Sequence, residues 1–521
     1  KLTSSNLPII SIYTFGNEIP NEPKINALMG IIYNGKDKIN YVNDSYNNFY
    51  GKIGIELRGS SSQTFPKKSY LIELRDSSGQ NLDTSLLDMP AENDWILYAP
   101  YSDKSMQRDV LTYKLVRAMG RYASRTMFCE LILNDEYLGV YVLMEKIKRD
   151  KNRVNIKKLK ETDNQSPDIT GGYIIKIDKT TGGGTDGWNS PYKPFNNAWQ
   201  QIYYQYEYPA YDKITSQQKN YIENYISEFE KSFSITATND TVKGYKAYVD
   251  LPSFIDYFII NELCRNVDAY RLSAFLYKDH SDVNKGKLFA GPAWDYNLAF
   301  GNANYCEGNN SEGWAYKFGN YCNDDYYQIP FWWQAMLNDT AFQNQLKCRW
   351  SILRESSLSN NYIFSIIDSM SSLLNQAQQR NYKKWQILNE WVWPNYYVGK
   401  TYTDEINYLK KWTTERLNWL DKNIPGKCNT ITDYTMPALT NNLIIYPNPS
   451  KGKFNIQFNS ISKRINYIAI YNNIGDKLFE KLYDSPSKIY ESIDLSSQPA
   501  GLYFIKIISD NYYNIQKLII H

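Results

Sequence analysis

Histidine is the scarcest functional residue in this 521-residue chain. There are two, His280 in a polar stretch and His521 at the end. A Ser-His-Asp triad or a multi-histidine zinc site has almost nothing to be built from. The six cysteines, at positions 129, 264, 306, 322, 348 and 428, contain no C-x-x-C pair, which argues against a zinc ribbon. Cys306 and Cys322 flank a Gly/Asn-rich loop and are expected to close it as a disulfide outside the cytoplasm. Cys129 and Cys264 lie in apolar contexts and are read as free, buried thiols. No apolar run approaches the length of a membrane span. The net charge of +3, with lysines and acids interspersed, provides no field for nucleic acid. The chain begins at Lys1 rather than Met, and the expectation is an export signal already removed.

Aromatic residues, by contrast, are abundant: 47 Tyr and 13 Trp. They suit a packed core, or alternatively a surface that stacks on sugars. With histidine so scarce, catalysis would rest on carboxylates, lysines and a hard metal such as magnesium.

The stretch richest in chemistry runs over residues 266–301, NVDAYRLSAFLYKDHSDVNKGKLFAGPAWDYNLAFG. It reads as a loop carrying Asp268, a strand over 274–278, a polar turn over 279–287 and a second strand over 288–290 leading to Trp294-Asp295-Tyr296. A tight turn would bring both aspartates to one cleft. One carboxylate that accepts a proton and one that holds a metal are the minimum for phosphoryl transfer. The structural alternative is that both cap turns.

Upstream, residues 1–50 suggest strands of an outer sheet. KIGIELRGSSSQTFPKKSYLIELRD (52–76) alternates apolar and polar residues in both halves, as paired strands do. Its link, from Gly59 to Ser62, would present bare N–H groups to phosphates, with Lys67 and Lys68 starting the next strand. Residues 103–119 read as a helix, 127–148 as a hairpin turning at Asn134-Asp135 and ending near Glu145, and 171–179 as a further strand. Helices are expected over 216–234 and 250–264, the second capped by Asp250, and a helical tract over about 329–424. Aromatic clusters in that tract, such as Trp332-Trp333, are read as packing, with a glycan platform as the alternative. After a polar linker, short strands from 443 onward predict a small antiparallel sandwich of about 80 residues.

Five co-linear motifs resemble the CotH kinase family, atypical protein kinases first associated with spore coats. These are RGSSSQTFPKKSY, DWILYAPYSDKSMQRDVLTYKL, YLGVYVLMEKIKRDKNRVNI, NVDAYRLSAFLYKD and AGPAWDYNLAFGNANYC. The resemblance covers roughly residues 5–425. It implies an α+β fold, an atypical protein-kinase-like two-lobed domain (1–430) followed by a linker (431–442) and a small all-β immunoglobulin-like sandwich (443–521). It implies ATP and Mg2+ as cofactors. Arg58, Gly59, Ser60 and Ser61 would then lie over the phosphates, and Lys68, or Lys67 beside it, would be the phosphate-pairing lysine. Glu145 would lie near the adenine, Asp268 would be the catalytic aspartate and Asp295 the magnesium ligand.

Two departures stand out. Ser273 occupies the usual asparagine position for a second metal, with Asn297 placed to compensate, and the helix over 103–119 offers only Asp109 as an acidic partner for Lys68. The last 80 or so residues, with IIYPNPSKGKFNIQF and IDLSSQPAGLYFIKI, resemble the type A C-terminal sorting domain of the type IX secretion system of Bacteroidetes. That implies secretion or surface attachment through that machinery. The expected function is therefore a secreted Ser/Thr protein kinase acting on an extracytoplasmic protein. The alternative is a non-catalytic surface or matrix scaffold on the same fold, presenting aromatic loops to a glycan or surface partner.

Overall fold

A computed structural model describes residues 2–180, 186–234, 244–428, 443–459, 465–473, 475–483, 488–509 and 512–521. The expected linker over 431–442 lies outside them. The fold is α+β. After the short β1 (Ser4–Ser5), strands β2 (Ile9–Tyr13) and β3 (Ile25–Ile32) pair with each other, and β4 (Asn40–Tyr41) pairs back on β1. β5 (Phe49–Arg58) and β6 (Ser69–Arg75) form the anticipated pair, with Arg58 opposite Ser69. β7 (Thr84–Leu86) and β8 (Met89–Glu92) make a small side hairpin before β9 (Asp94–Tyr98). β10 (Thr126–Leu133) and β11 (Glu136–Glu145) turn at Asn134-Asp135, both in the left-handed region.

The N-terminal strands do not form an outer sheet. β2 runs parallel to β10, Ile9 opposite Glu130, and closes a barrel in the order β10-β11-β9-β6-β5-β3-β2. Alternation explains the filling: Ile10, Ile12, Ile53, Ile55, Ile72, Trp95, Leu131 and Leu143 point inward and are almost fully buried.

A second sheet, in the order β13-β14-β12-β15-β16, is built from β12 (Tyr173–Ile177), β13 (Gly187–Asn189), β14 (Tyr203–Tyr208), β15 (Ala274–Lys278) and β16 (Leu288–Ala290). The helices of the described residues are α1 (Arg108–Ala118), α2 (Ser216–Lys231), α3 (Leu251–Cys264), α4 (Phe331–Leu337), α5 (Thr340–Arg354), α6 (Asn360–Lys384) and α7 (Tyr402–Asn423); α3 packs on β16 of this sheet and α6 on β11 of the barrel. α1 starts later than its apolar pattern suggests, because the Asp103 carboxylate accepts the Arg108 N–H at 2.9 Å and holds the preceding turn out of the helix. α3 is the central post. Asp250 caps it, accepting from the Ser253 N–H at 3.0 Å, and every residue from 253 to 264 is buried. The anticipated helical tract is interrupted between α6 and α7.

Beyond the linker, β17 (Leu443–Tyr446), β18 (Lys453–Asn459) and β21 (Lys488–Asp494) form one sheet. β19 (Ile465–Tyr471), β20 (Lys477–Leu482), β22 (Gly501–Ser509) and β23 (Tyr512–Ile520) form another. The two sheets share a core of Phe454, Ile456, Ile468, Ile470, Ile505 and Leu518. The sandwich touches the helical region through Ile352 against Tyr467 and Ala469, and through the Lys506–Glu355 ion pair at 3.1 Å. Cys306–Cys322 is a disulfide and Cys129 and Cys264 are buried free thiols, while Cys348–Cys428 is a second disulfide.

Candidate active site

The hairpin β15–β16, in register with Leu276 opposite Ala290, brings the Asp268 loop and the Trp294-Asp295-Tyr296 turn together. The Asn266 side chain ties them: its amide nitrogen donates to the Asp295 carbonyl at 2.9 Å, and its oxygen accepts the Asp268 N–H at 3.2 Å. α1 holds the turn from the other side. Tyr113 Oη accepts the Asp295 N–H at 3.1 Å and donates to Asp109 Oδ1 at 3.2 Å, and that same oxygen accepts the Tyr296 N–H at 2.7 Å. The Tyr113 ring stacks on Trp294, and the Arg58 guanidinium lies over Trp294, 5.1 Å from the ring centre. Asp295 itself sits at φ +65°, a left-handed conformation that costs energy and is kept by these surrounding bonds.

Electrostatics define the centre of the site. The Asp295 carboxyl is pushed up by burial, then by the carboxylates of Asp109, Asp268 and Asp178, with Arg58 opposing. Asp268 is also raised, first by burial. Arg271 and Lys179 counteract this, while Asp178 and Asp325 reinforce it. Asp295 is nevertheless exposed at the surface, with these charges crowded around it. Arg271 Nη2 donates to Asp268 Oδ1 at 3.1 Å and fixes the carboxylate's orientation. Within reach of Asp178, Lys176 and Glu207 form an ion pair at 2.9 Å. Burial opposes the Lys176 charge, but Glu207 and Asp178 outweigh it and raise the pKa. Burial lowers that of Arg58, with Asp295 the largest opposing charge.

The serine turn reaches the same place. Gly59 has φ +108°, and a Cβ there would meet Ser62 Oγ at 2.0 Å, so only glycine fits. Ser61 Oγ accepts from Lys179 Nζ at 3.1 Å, beside Asp178. Ser61 begins a short 3-10 turn, with Ser60 as its cap.

The remaining anticipated residues lie as follows. Lys68 Nζ donates to the Gln63 carbonyl at 2.6 Å and braces the serine turn. Lys67 is buried between barrel and α6, donating to the Val140 carbonyl and to Asn381 Oδ1 at 2.9 Å, and burial lowers its pKa to about 7. Glu145 is fully buried at the end of β11. It accepts from Arg125 Nη1 at 2.7 Å and from the Tyr122 hydroxyl. Ser273 is half-buried at φ +49°, and the Asn297 carbonyl accepts from Asn302 at 2.8 Å. Arg58 acts on Asp295, Lys176 on Asp178 and Lys179 on Asp268. Sequence reasoning missed Asp178, Lys176 and Glu207. The signal available was alternation in IIKIDK, which places Lys176 opposite its buried neighbours.

Magnesium in a nucleotide site takes one or two carboxylates and completes its shell with phosphate oxygens and water. Among the described residues no group of three or more His, Cys, Asp or Glu makes a ready cage. The mutual repulsion that raises Asp295 is nonetheless what a bound dication would relieve, so this donor set fits magnesium shared with a phosphate ligand. A cavity of about 970 Å3 lies elsewhere, against the C-terminal end of α1 and α6, and none of these carboxylates lines it. Convergent charge, rather than volume, identifies the site.

No curated protein matches the chain. Residues 444–521 match the model described as a secretion system C-terminal sorting domain, the segment that forms the sandwich. Residues 55–420 match the model described as CotH kinase protein, and this span holds the serine turn, Lys176, Asp268 and Asp295. The chain therefore belongs to the CotH kinase protein family.

Proposed function

We propose that the protein is an extracytoplasmic phosphotransferase moving the γ-phosphoryl group of ATP to a Ser or Thr hydroxyl of another protein. The observation carrying this reading is the clustering of Asp268, Asp295 and Asp178 with Arg58 and Lys176, tied to the serine turn through Lys179 and Ser61. In this reading the barrel and the helical part act as two lobes, with this cluster between them. Backbone N–H groups of Gly59, Ser60 and Ser61 approach the phosphates, and Arg58 and Lys176 neutralise them. Glu207 orients Lys176.

Asp268 accepts the proton of the acceptor hydroxyl, held in place by Arg271. The hydroxyl oxygen bonds to the γ-phosphorus as the bond to the β-phosphate bridging oxygen breaks, leaving ADP. Asp295, with Asp178 or Asn297, would hold magnesium, which supplies charge neutralisation on the phosphates. The sorting domain supports export through the type IX secretion machinery, so the acceptor would be a secreted or surface protein. The assay is incorporation of labelled phosphate from ATP and Mg2+ into a secreted-protein fraction, beside Asp268→Ala and Asp295→Ala. Loss in both variants, with nucleotide binding kept in Asp268→Ala, is expected. Absence of nucleotide binding by the parent, or equal incorporation in all three, would overturn the reading.

A further inference from the structure

Loops whose Asp325 and Tyr305 lie within electrostatic reach of Asp268 carry exposed apolar surface of an unusual composition. Among the described residues, the large exposed hydrophobics of the segments 190–200, 320–330 and 390–400 are Phe195, Trp199, Tyr326, Trp391, Trp393 and Tyr396, all aromatic. They form two ridges. In one, Trp199 and Tyr326 are 63 % and 59 % exposed with ring centres 5.8 Å apart. That ridge is wired to the base: Asp325 Oδ1 accepts from Arg271 Nη1 at 3.3 Å, and Arg271 also holds Asp268. In the other, Trp393 is 44 % exposed and stacks parallel on Tyr305, 6.2 Å between centres. The Cys306–Cys322 disulfide fastens the Tyr305 loop to the Asp325 loop, so the ridges belong to one cross-linked unit.

Behind the second ridge is a cavity of about 470 Å3, lined by Asn309, Asn310, Ser311, Tyr396, Tyr408 and Trp412. Its wall is rigid. Trp412 Nε1 donates to the Asn309 carbonyl at 2.7 Å, Arg265 Nη1 to the Asn310 carbonyl at 2.9 Å, and Arg416 Nη1 to the Ser311 carbonyl at 3.0 Å. With those carbonyls engaged inward, the Asn309 amide and Ser311 hydroxyl make no hydrogen bond to the described residues and are available to a ligand.

We propose that this cavity and the Trp393–Tyr305 and Trp199–Tyr326 ridges form a carbohydrate-binding site beside Asp268, taking a neutral oligosaccharide. Flat rings stack on the C–H face of a pyranose, while amides, hydroxyls and the carboxylates of Glu307 and Glu415 at the rim accept and donate to its hydroxyls. A peptide anchor would call for aliphatic pockets, and an anionic ligand for a surplus of cations; Lys411 is the one cation lining this cavity. The preformed wall limits the ordering cost of binding. Joined to the proposed kinase reading, on which only this step rests, the site would select glycosylated acceptors and hold them with a hydroxyl toward Asp268.

The test uses the full chain without nucleotide, so its outcome is separable from that of the kinase reading. Biotinylated tetrasaccharides of glucose, mannose and N-acetylhexosamine, with an aromatic-rich peptide for comparison, are titrated by interferometry. At least one tetrasaccharide should bind. Trp393→Ala or Asn309→Ala should weaken it several-fold each, and Trp199→Ala with Trp393→Ala by at least about tenfold. Tyr50→Ala, an exposed ring elsewhere, should change nothing. Unchanged melting temperatures show that these surface variants fold. Failure of every tetrasaccharide at millimolar concentration, binding indifferent to the two tryptophans, or capture of the peptide alone would overturn the proposal.

Discussion

Arg416→Met tests how the loop beneath the site is held. Arg416 and Glu262 are both fully buried and meet at 3.1 Å, joining α7 to α3. Arg416 Nε donates to the Glu262 carbonyl at 2.7 Å, and Nη1 donates to the carbonyls of both Ser311 and Gly313. Removing one partner of such a pair leaves a buried charge and costs about 3–5 kcal/mol. Glu262 keeps three donors, the Tyr270 hydroxyl and the N–H groups of Ala315 and Tyr316 at 3.1, 2.8 and 2.9 Å, so the lower end, about 3 kcal/mol, is expected. For a region of this size that is a loss of roughly 3–4 °C in Tm. Burial raises the Glu262 pKa in spite of Arg416, so its neutral form is favoured on folding. Adding Glu262→Gln to Arg416→Met should therefore restore part of the loss, with the pair costing less than the sum of the singles. Calorimetry of the four proteins gives the cycle. A single variant within about 1 °C of the parent, or a double variant worse than additive, would refute the reasoning.

Glu230, buried against Ser190 and Tyr204, is raised by burial to about 7. A raised carboxyl contributes stability fully below its unfolded pKa and loses it as pH rises through the folded one. Between about pH 4.5 and 7 the parent should thus lose up to about 3 kcal/mol that Glu230→Gln does not, read from urea midpoints across that range. Cys306→Ser with Cys322→Ser opens a cross-link spanning 16 residues and should cost about 3 kcal/mol. It should also weaken the oligosaccharide binding proposed above, whereas the reduced parent should behave like the variant in the same titration.

Local chemistry made much of this legible. β15, β16 and the turn between them follow alternation and turn residues almost to the residue, and Asp250 marks the start of α3 as a cap should. The Asp268–Asp295 convergence followed from that hairpin. The cations did not. Lys67 and Lys68 are adjacent, so period-2 alternation sends them to opposite faces, and the sequence carries no sign that Asn381 and Val140 wait for the first. Lys176 and Glu207 sit on neighbouring strands whose pairing is bulged between Ile174 and Ile175, a register no motif announces. Asp109, the one acid on α1 that a lysine might have claimed, is occupied by the Tyr296 N–H and Tyr113 hydroxyl.

Glu130 offers a final consequence. Fully buried on β10, it receives the Ser5 hydroxyl at 2.9 Å, the Tyr137 hydroxyl at 2.5 Å and the Arg380 guanidinium from α6. The barrel is thus locked by contributors from opposite ends of a 375-residue span. A polypeptide trimmed to the family match at 55–420 would lose Ser5, β2, β3 and most of β5. Two raw strand edges would then face water, inviting chains to stitch together edge to edge. Anyone isolating the family-matched half should keep the first fifty residues attached.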